Sequence, residues 1–121
     1  MTPEDLAALV NDRGRLSTYH ARPGSARRGL MVSLSPLTLT EGEAVIGTVP
    51  GAKLRPLPAS RPSYQVTIRS LAAVAFVDTV VDLFSDLQRS HLSAALDKVD
   101  ESNPVASYAA SRPPEAHPGI A

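Results

Sequence analysis

The stretch Asp5-Leu6-Ala7-Ala8-Leu9-Val10-Asn11-Asp12-Arg13-Gly14-Arg15-Leu16 decides how this chain is read. Just upstream, Thr2 can cap a helix, Pro3 suits the first helical position, and Glu4 and Asp5 complement the positive helix end. Leu6, Leu9 and Val10 recur at i, i+3 and i+4, which is one helical face. Ala7 and Ala8 leave room for another helix to approach, and Gly14 is a natural stop. Taken alone, the stretch is an amphipathic helix on a core that runs straight into an Arg-rich segment.

Residues 15–20 alternate as a strand, with Leu16, Thr18 and His20 on one side and Arg15, Ser17 and Tyr19 on the other. Ala21 to Gly29 is a hairpin loop punctuated by Pro23-Gly24, and Arg22, Arg27 and Arg28 lie at its tip. Leu30 to Ser35 alternates again, placing Leu30, Val32 and Leu34 toward a core. Thr40 and Glu43 make an S/T-x-x-E pattern that predicts a short helix limited by Gly42, Gly47 and Pro50. Gly51-Ala52 is a turn into a short strand, Lys53 to Leu57, with Pro56 disfavouring a central position. Tyr64 to Arg69 is the clearest strand. Ser70 is expected to cap a long helix over Leu71 to Gln88, with Val77, Val80, Val81, Phe84 and Leu87 inward and Asp78, Asp82 and Asp86 outward. A second helix is expected from Leu92 to about Asp100. From Ser102 onward Pro, Ser and Ala dominate, and residues 102–121 read as a disordered tail to a domain of residues 1–101.

This order predicts an α+β fold with helices on one face of a four-stranded antiparallel sheet. The other face would carry Arg15, Ser17, Tyr19, Ser33, Ser35, Lys53, Arg55, Gln65, Thr67 and Arg69. Arg, hydroxyl and amide groups with few carboxylates suit phosphates and base edges, although a polar sheet face can equally be solvated.

Composition sets outer bounds. A length of 121 residues suits one domain, and 43% hydrophobic residues indicate a globular chain. No apolar run is long enough for a membrane span, and no basic-then-apolar leader pattern opens the chain, so a cytoplasmic protein with no membrane partner is expected. With no cysteine, disulfides and thiolate metal sites are excluded. Net charge is zero but uneven: residues 1–71 hold nine Arg and Lys against five Asp and Glu, and residues 72–121 hold three against seven. The basic portion hints at a surface for a polyanion.

Several strings, in their shared order, resemble a single-motif LAGLIDADG homing endonuclease domain in a degenerate form. Leu6 to Gly14 would be the signature helix. Gly51-Ala52-Lys53-Leu54 is similar to that family's turn into its third strand, and Arg61 to Ile68 with the helix behind it is similar to the closing strand and helix. The likeness covers about residues 4–100. It implies a homodimer whose signature helices meet through Leu6, Ala7, Ala8 and Val10, with both sheets saddled over duplex DNA at a roughly palindromic site.

The departures bear on chemistry. Arg13 stands where the resemblance calls for a metal-binding acid, and Asn11 at the earlier acidic position. Arginine repels a divalent cation and supplies no oxygen ligand, so only Asp12 remains, one residue out of register. His20, His91 and His117 form no ligand pattern, and no nucleophile elbow or phosphate loop is present. No catalytic residue, metal or cofactor is therefore expected. The leading expectation is a catalytically inactive duplex-binding domain with a regulatory or structural role. Arg22, Arg27 and Arg28 would contact phosphates. Arg15, Tyr19, Lys53, Arg55, Gln65 and Arg69 would read the groove, and Arg13 would sit near the dyad. The alternative is a protein-interaction subunit of a larger phage or bacterial assembly.

Overall fold

A computed structural model describes residues 1–102 of the chain. The elements in order are α1 (Pro3–Arg13), β1 (Gly14–His20), β2 (Arg28–Leu37), α2 (Leu39–Thr48), β3 (Lys53–Pro56), β4 (Tyr64–Arg69), α3 (Ser70–Val80), a single 3-10 turn (Val81–Leu83) and α4 (Asp86–Ser102). The strands form one antiparallel sheet in the order β1-β2-β4-β3. The fold is α+β. α4 lies over β1 and β2, α3 over β2 and β4, and α2 over β4 and β3, all on one face. The covered face supplies Leu16, Leu30, Val32, Leu34, Val66 and Ile68, which meet Val10, Val45, Ala73, Phe76, Val80 and Leu92 from the helices.

Thr2 caps α1 as its sequence indicates. Its hydroxyl accepts from the Asp5 N–H at 3.1 Å, and the Asp5 carboxylate accepts from the Thr2 N–H at 3.0 Å. That reciprocal bonding holds the Asp5 carboxyl below its ordinary range. α1 then passes into β1 with no loop between them. A Cβ on Gly14 would lie 2.6 Å from the Val10 carbonyl oxygen, so glycine is required by close approach and not by a left-handed turn.

Three expectations are corrected. The cap of α2 is Thr38, two residues earlier than expected. The Thr38 hydroxyl accepts from the Glu41 N–H at 3.1 Å, and Glu41 accepts from the Thr38 N–H at 2.9 Å. Gly42 does not limit this helix; it sits against Leu54, where a Cβ would come within 2.6 Å of a methyl group. Ser70 is not a cap either. It takes φ 58°, turning the chain from β4 directly into α3, and its hydroxyl meets the Tyr19 hydroxyl.

The expected long helix over 71–88 is two helices. The chain breaks at Phe84 and Ser85 because side chains satisfy the freed backbone groups. Asn11 donates to the Leu83 carbonyl at 3.1 Å and accepts from the Ser85 N–H at 2.9 Å. Arg89 donates to the Asp82 carbonyl at 2.7 Å, and the Ser85 hydroxyl accepts from the Gln88 N–H at 3.3 Å as the cap of α4. Apolar periodicity runs unbroken through Val80, Val81 and Phe84, which hides the break, and it fails at Leu87, which is 64% exposed. The α4 helix continues through Ser102, one residue into the expected tail; the remainder of that tail, 103–121, lies outside the described residues.

Gln88 is 5% exposed and ties the halves together. Its amide donates to the Val10 carbonyl at 2.8 Å, which also accepts the Gly14 N–H, and to the Gly14 carbonyl at 3.0 Å, where α1 passes into β1. Replacing Gln88 by Leu leaves these carbonyls without that donor. The variant should lose about 1–3 kcal/mol in urea unfolding at an unchanged slope; an unaltered midpoint would show that the tie is dispensable.

Candidate nucleic-acid interface

The uncovered face of the sheet gathers the polar residues that alternate with the core positions. Cross-strand pairing sets Arg15 opposite Ser33, Ser33 opposite Thr67, and Thr67 opposite Lys53. This row crosses all four strands. A second row runs Ser17, Met31, Arg69, and Arg55 faces Gln65. Cations therefore mark both edges, Arg15 on β1 with Lys53 and Arg55 on β3. Hydroxyl and amide groups fill the middle, with Arg69 at one end. At the usual strand spacing of about 4.8 Å the two edge strands are about 14 Å apart.

Two contacts shape this face. Gly29 lies opposite Tyr19, and a Cβ there would come within 2.7 Å of the ring. The bare backbone lets the ring lie across β2, where the Arg69 guanidinium stands 5.0 Å from its centroid. The Arg55 Nε donates to Gln65 Oε1 at 2.7 Å, leaving the Gln65 amide and the Arg55 fork as outward donors. Arg15 and Lys53 have no ion pair among the described residues.

Charge is segregated between the two layers. No strand contains an Asp or Glu, and every Asp and Glu among the described residues lies in a helix or in the 3-10 turn. The sheet face is basic because its acids are elsewhere, not because the chain is basic.

Other expected residues sit differently. Arg22 and Arg27 are exposed in the β1–β2 loop, which is closed by the Ala21 N–H donating to the Arg27 carbonyl at 2.9 Å. Arg28 is not at a tip. It belongs to β2, opposite His20, and its guanidinium donates to the Thr18 hydroxyl at 3.1 Å on the helical side of the sheet. Arg13 is not available to a phosphate as expected. It donates to Glu41 at 2.8 Å, to Asp12 at 3.0 Å and to the Pro36 carbonyl at 3.3 Å. Of the residues expected at a dimer seam, Leu6, Ala7 and Val10 are buried in this chain's own core, and Ala8 alone of the four is exposed.

The Asp12 carboxylate, ion-paired to Arg13, does not fit a metal site, and no group of three or more His, Asp or Glu among the described residues could hold an ion. No helix among them is long and apolar enough to cross a membrane. Sequence reasoning missed His91 and Lys98 on α4, which face the β1 edge beside Arg15 and Arg28. Their i, i+7 spacing on one helical face was the available signal.

No family model matches the chain, and neither a curated protein nor a solved structure matches it.

Glu41 couples this region to α2. Its carboxyl is held below the ordinary range, first by the Thr38 N–H and then by the Arg13 guanidinium, while the paired Arg13 is pushed upward mainly by Glu41. A carboxyl lowered by folding adds stability above its unfolded range and loses it as pH falls through the folded value. Glu41→Gln should therefore be less stable than wild type at neutral pH, and the gap should close in acid. A gap that stays constant with pH would contradict this role.

Proposed function

We propose that this chain binds duplex DNA through the open face of its sheet and does not cleave it. The observation that carries this reading is the acid-free face itself, with Arg15, Lys53, Arg55 and Arg69 arranged around Ser33, Gln65 and Thr67. Its width is comparable with a major groove of about 12 Å. Edge cations would meet phosphates along the groove rims, while the Arg55–Gln65 pair and Arg69 would reach base edges. The resemblance to a degenerate LAGLIDADG domain supports the same use, as a regulatory or structural binder in the cytoplasm. Arg13 and Asn11, which stand where the resemblance calls for acids, with Asp12 paired to Arg13, support the loss of metal-dependent cleavage.

Binding of this kind releases counterions, so affinity should fall steeply with salt. Wild type should bind random duplex with a steep log–log salt dependence, and Arg15→Ala/Lys53→Ala, which removes the two rim cations assigned to phosphates, should flatten that slope by about 2. Equal slopes, or no binding at low salt, would reject the sheet as the interface.

A second reading, a protein-interaction subunit, is favoured by a separate feature. An apolar groove of about 630 Å³ runs between α1, the end of α2 and α3, lined by Met1, Leu6, Val49, Leu71, Ala75 and Phe76. Leu71 is 84% exposed there. A second copy of this chain is the occupant consistent with the homodimer that the resemblance implies, now that the inner face of α1 is used internally. Sedimentation should then show a dimer that Leu71→Asp dissociates; a monomeric wild type would exclude this seam.

A further inference from the structure

We infer that the groove between the edge strand β1 and helix α4, which adjoins the open sheet face at Arg15, binds a phosphate group. The groove encloses about 340 Å³, and its lining includes Arg15, Ser17, Thr18, Arg28, His91 and Lys98, with no Asp or Glu among the lining residues. Arg28 is built into it from both ends. Its backbone N–H donates to the Ser102 hydroxyl at 2.9 Å where α4 finishes, and its guanidinium donates to Thr18 at 3.1 Å. That bond uses one donor of the fork and leaves the others facing the groove. His91 and Lys98 stand two helical turns apart on the side of α4 that faces β1.

The fixed positive charges of Arg15, Arg28 and Lys98 converge here with no carboxylate among the described lining residues, although six acids lie between Asp78 and Glu101. Such an arrangement is relieved by an anion. The donor set distinguishes which anion: an Arg fork, an ammonium and two hydroxyls offer more hydrogen bonds than the two oxygens of a carboxylate accept in one plane. The tetrahedral oxygens of a phosphate match them. Two sources share this chemistry. One is the backbone of a duplex laid on the sheet, since Arg15 belongs to both surfaces; the other is free phosphate or a phosphomonoester. Only the first source rests on the duplex-binding reading.

The full-length protein tests the site by ¹⁵N NMR, with inorganic phosphate titrated against chloride at matched ionic strength and, separately, with a short duplex. The expected result is saturable movement of the Ser17, Thr18 and Lys98 amides with at least one probe. That movement should disappear in Arg28→Gln/Lys98→Ala, whose remaining spectrum reports an intact fold; Lys98→Glu alone, at an exposed helical position, should weaken it too. If the duplex is the source, the double variant also lowers the salt slope by about 2. If phosphate alone moves these signals, the ligand is a small phosphate and the site stands even where the duplex reading fails. No movement with either probe, movement centred on Lys53 and Arg55 instead, or movement that survives the double substitution would overturn the inference.

Discussion

The architecture depends on how α1 is ended. Where the helix turns directly into a strand, the Val10 carbonyl accepts the Gly14 N–H, and the buried amide of Gln88 adds a second donor to it and bonds the Gly14 carbonyl as well. The junction is tight enough that any side chain at position 14 would strike the Val10 carbonyl. Beside it, Asn11 bridges the Leu83 carbonyl and the Ser85 N–H, so the same turn of α1 also stabilises the break between α3 and α4. Through these contacts α4 is directed back across β1 and β2. The helical layer covers one side of the sheet, and no helix among the described residues covers the other.

That one-sided closure produces the electrostatic pattern. Helices carry the acids, partly as caps: Asp5 and Glu41 each bond back to a threonine that starts a helix. Glu41 also engages Arg13, removing the one cation of the signature-like stretch that the resemblance would place at the centre of a DNA complex. Strands carry Arg and Lys, and none of these has an ion pair among the described residues. A chain of zero net charge thus carries a basic sheet face and, among the described residues, keeps its acids on the helices, a segregation that bulk composition conceals.

Much of this was legible from period alone. The strand alternation in 15–20, 30–35 and 64–69 places the same residues on the open face that the register places there. The misreadings share a cause, which is that local patterns compete. Thr38-Glu41 and Thr40-Glu43 have identical spacing, and only the end of β2 selects the first. Valines and Phe84 keep helical spacing through a real break, because the residue that licenses the break, Asn11, lies over seventy positions away. The signal for the second start was present as Ser85-x-x-Gln88, a capping pattern in the last turn of the apparent helix. Arg13 and Arg28 could not be assigned from sequence because their partners, Glu41 and Thr18, are tertiary neighbours. The inner face of α1 is apolar enough for either a core or a dimer seam, and packing against α3 and β2 makes it core.

Arginine footprinting with a dicarbonyl reagent, read by mass spectrometry with and without duplex DNA, tests the central claim most directly. The account predicts that duplex protects Arg15, Arg55 and Arg69 on the open face, while Arg89 on the helical layer reacts equally in both samples. Uniform reactivity with and without DNA, or protection of Arg89 with the sheet arginines left reactive, would contradict it.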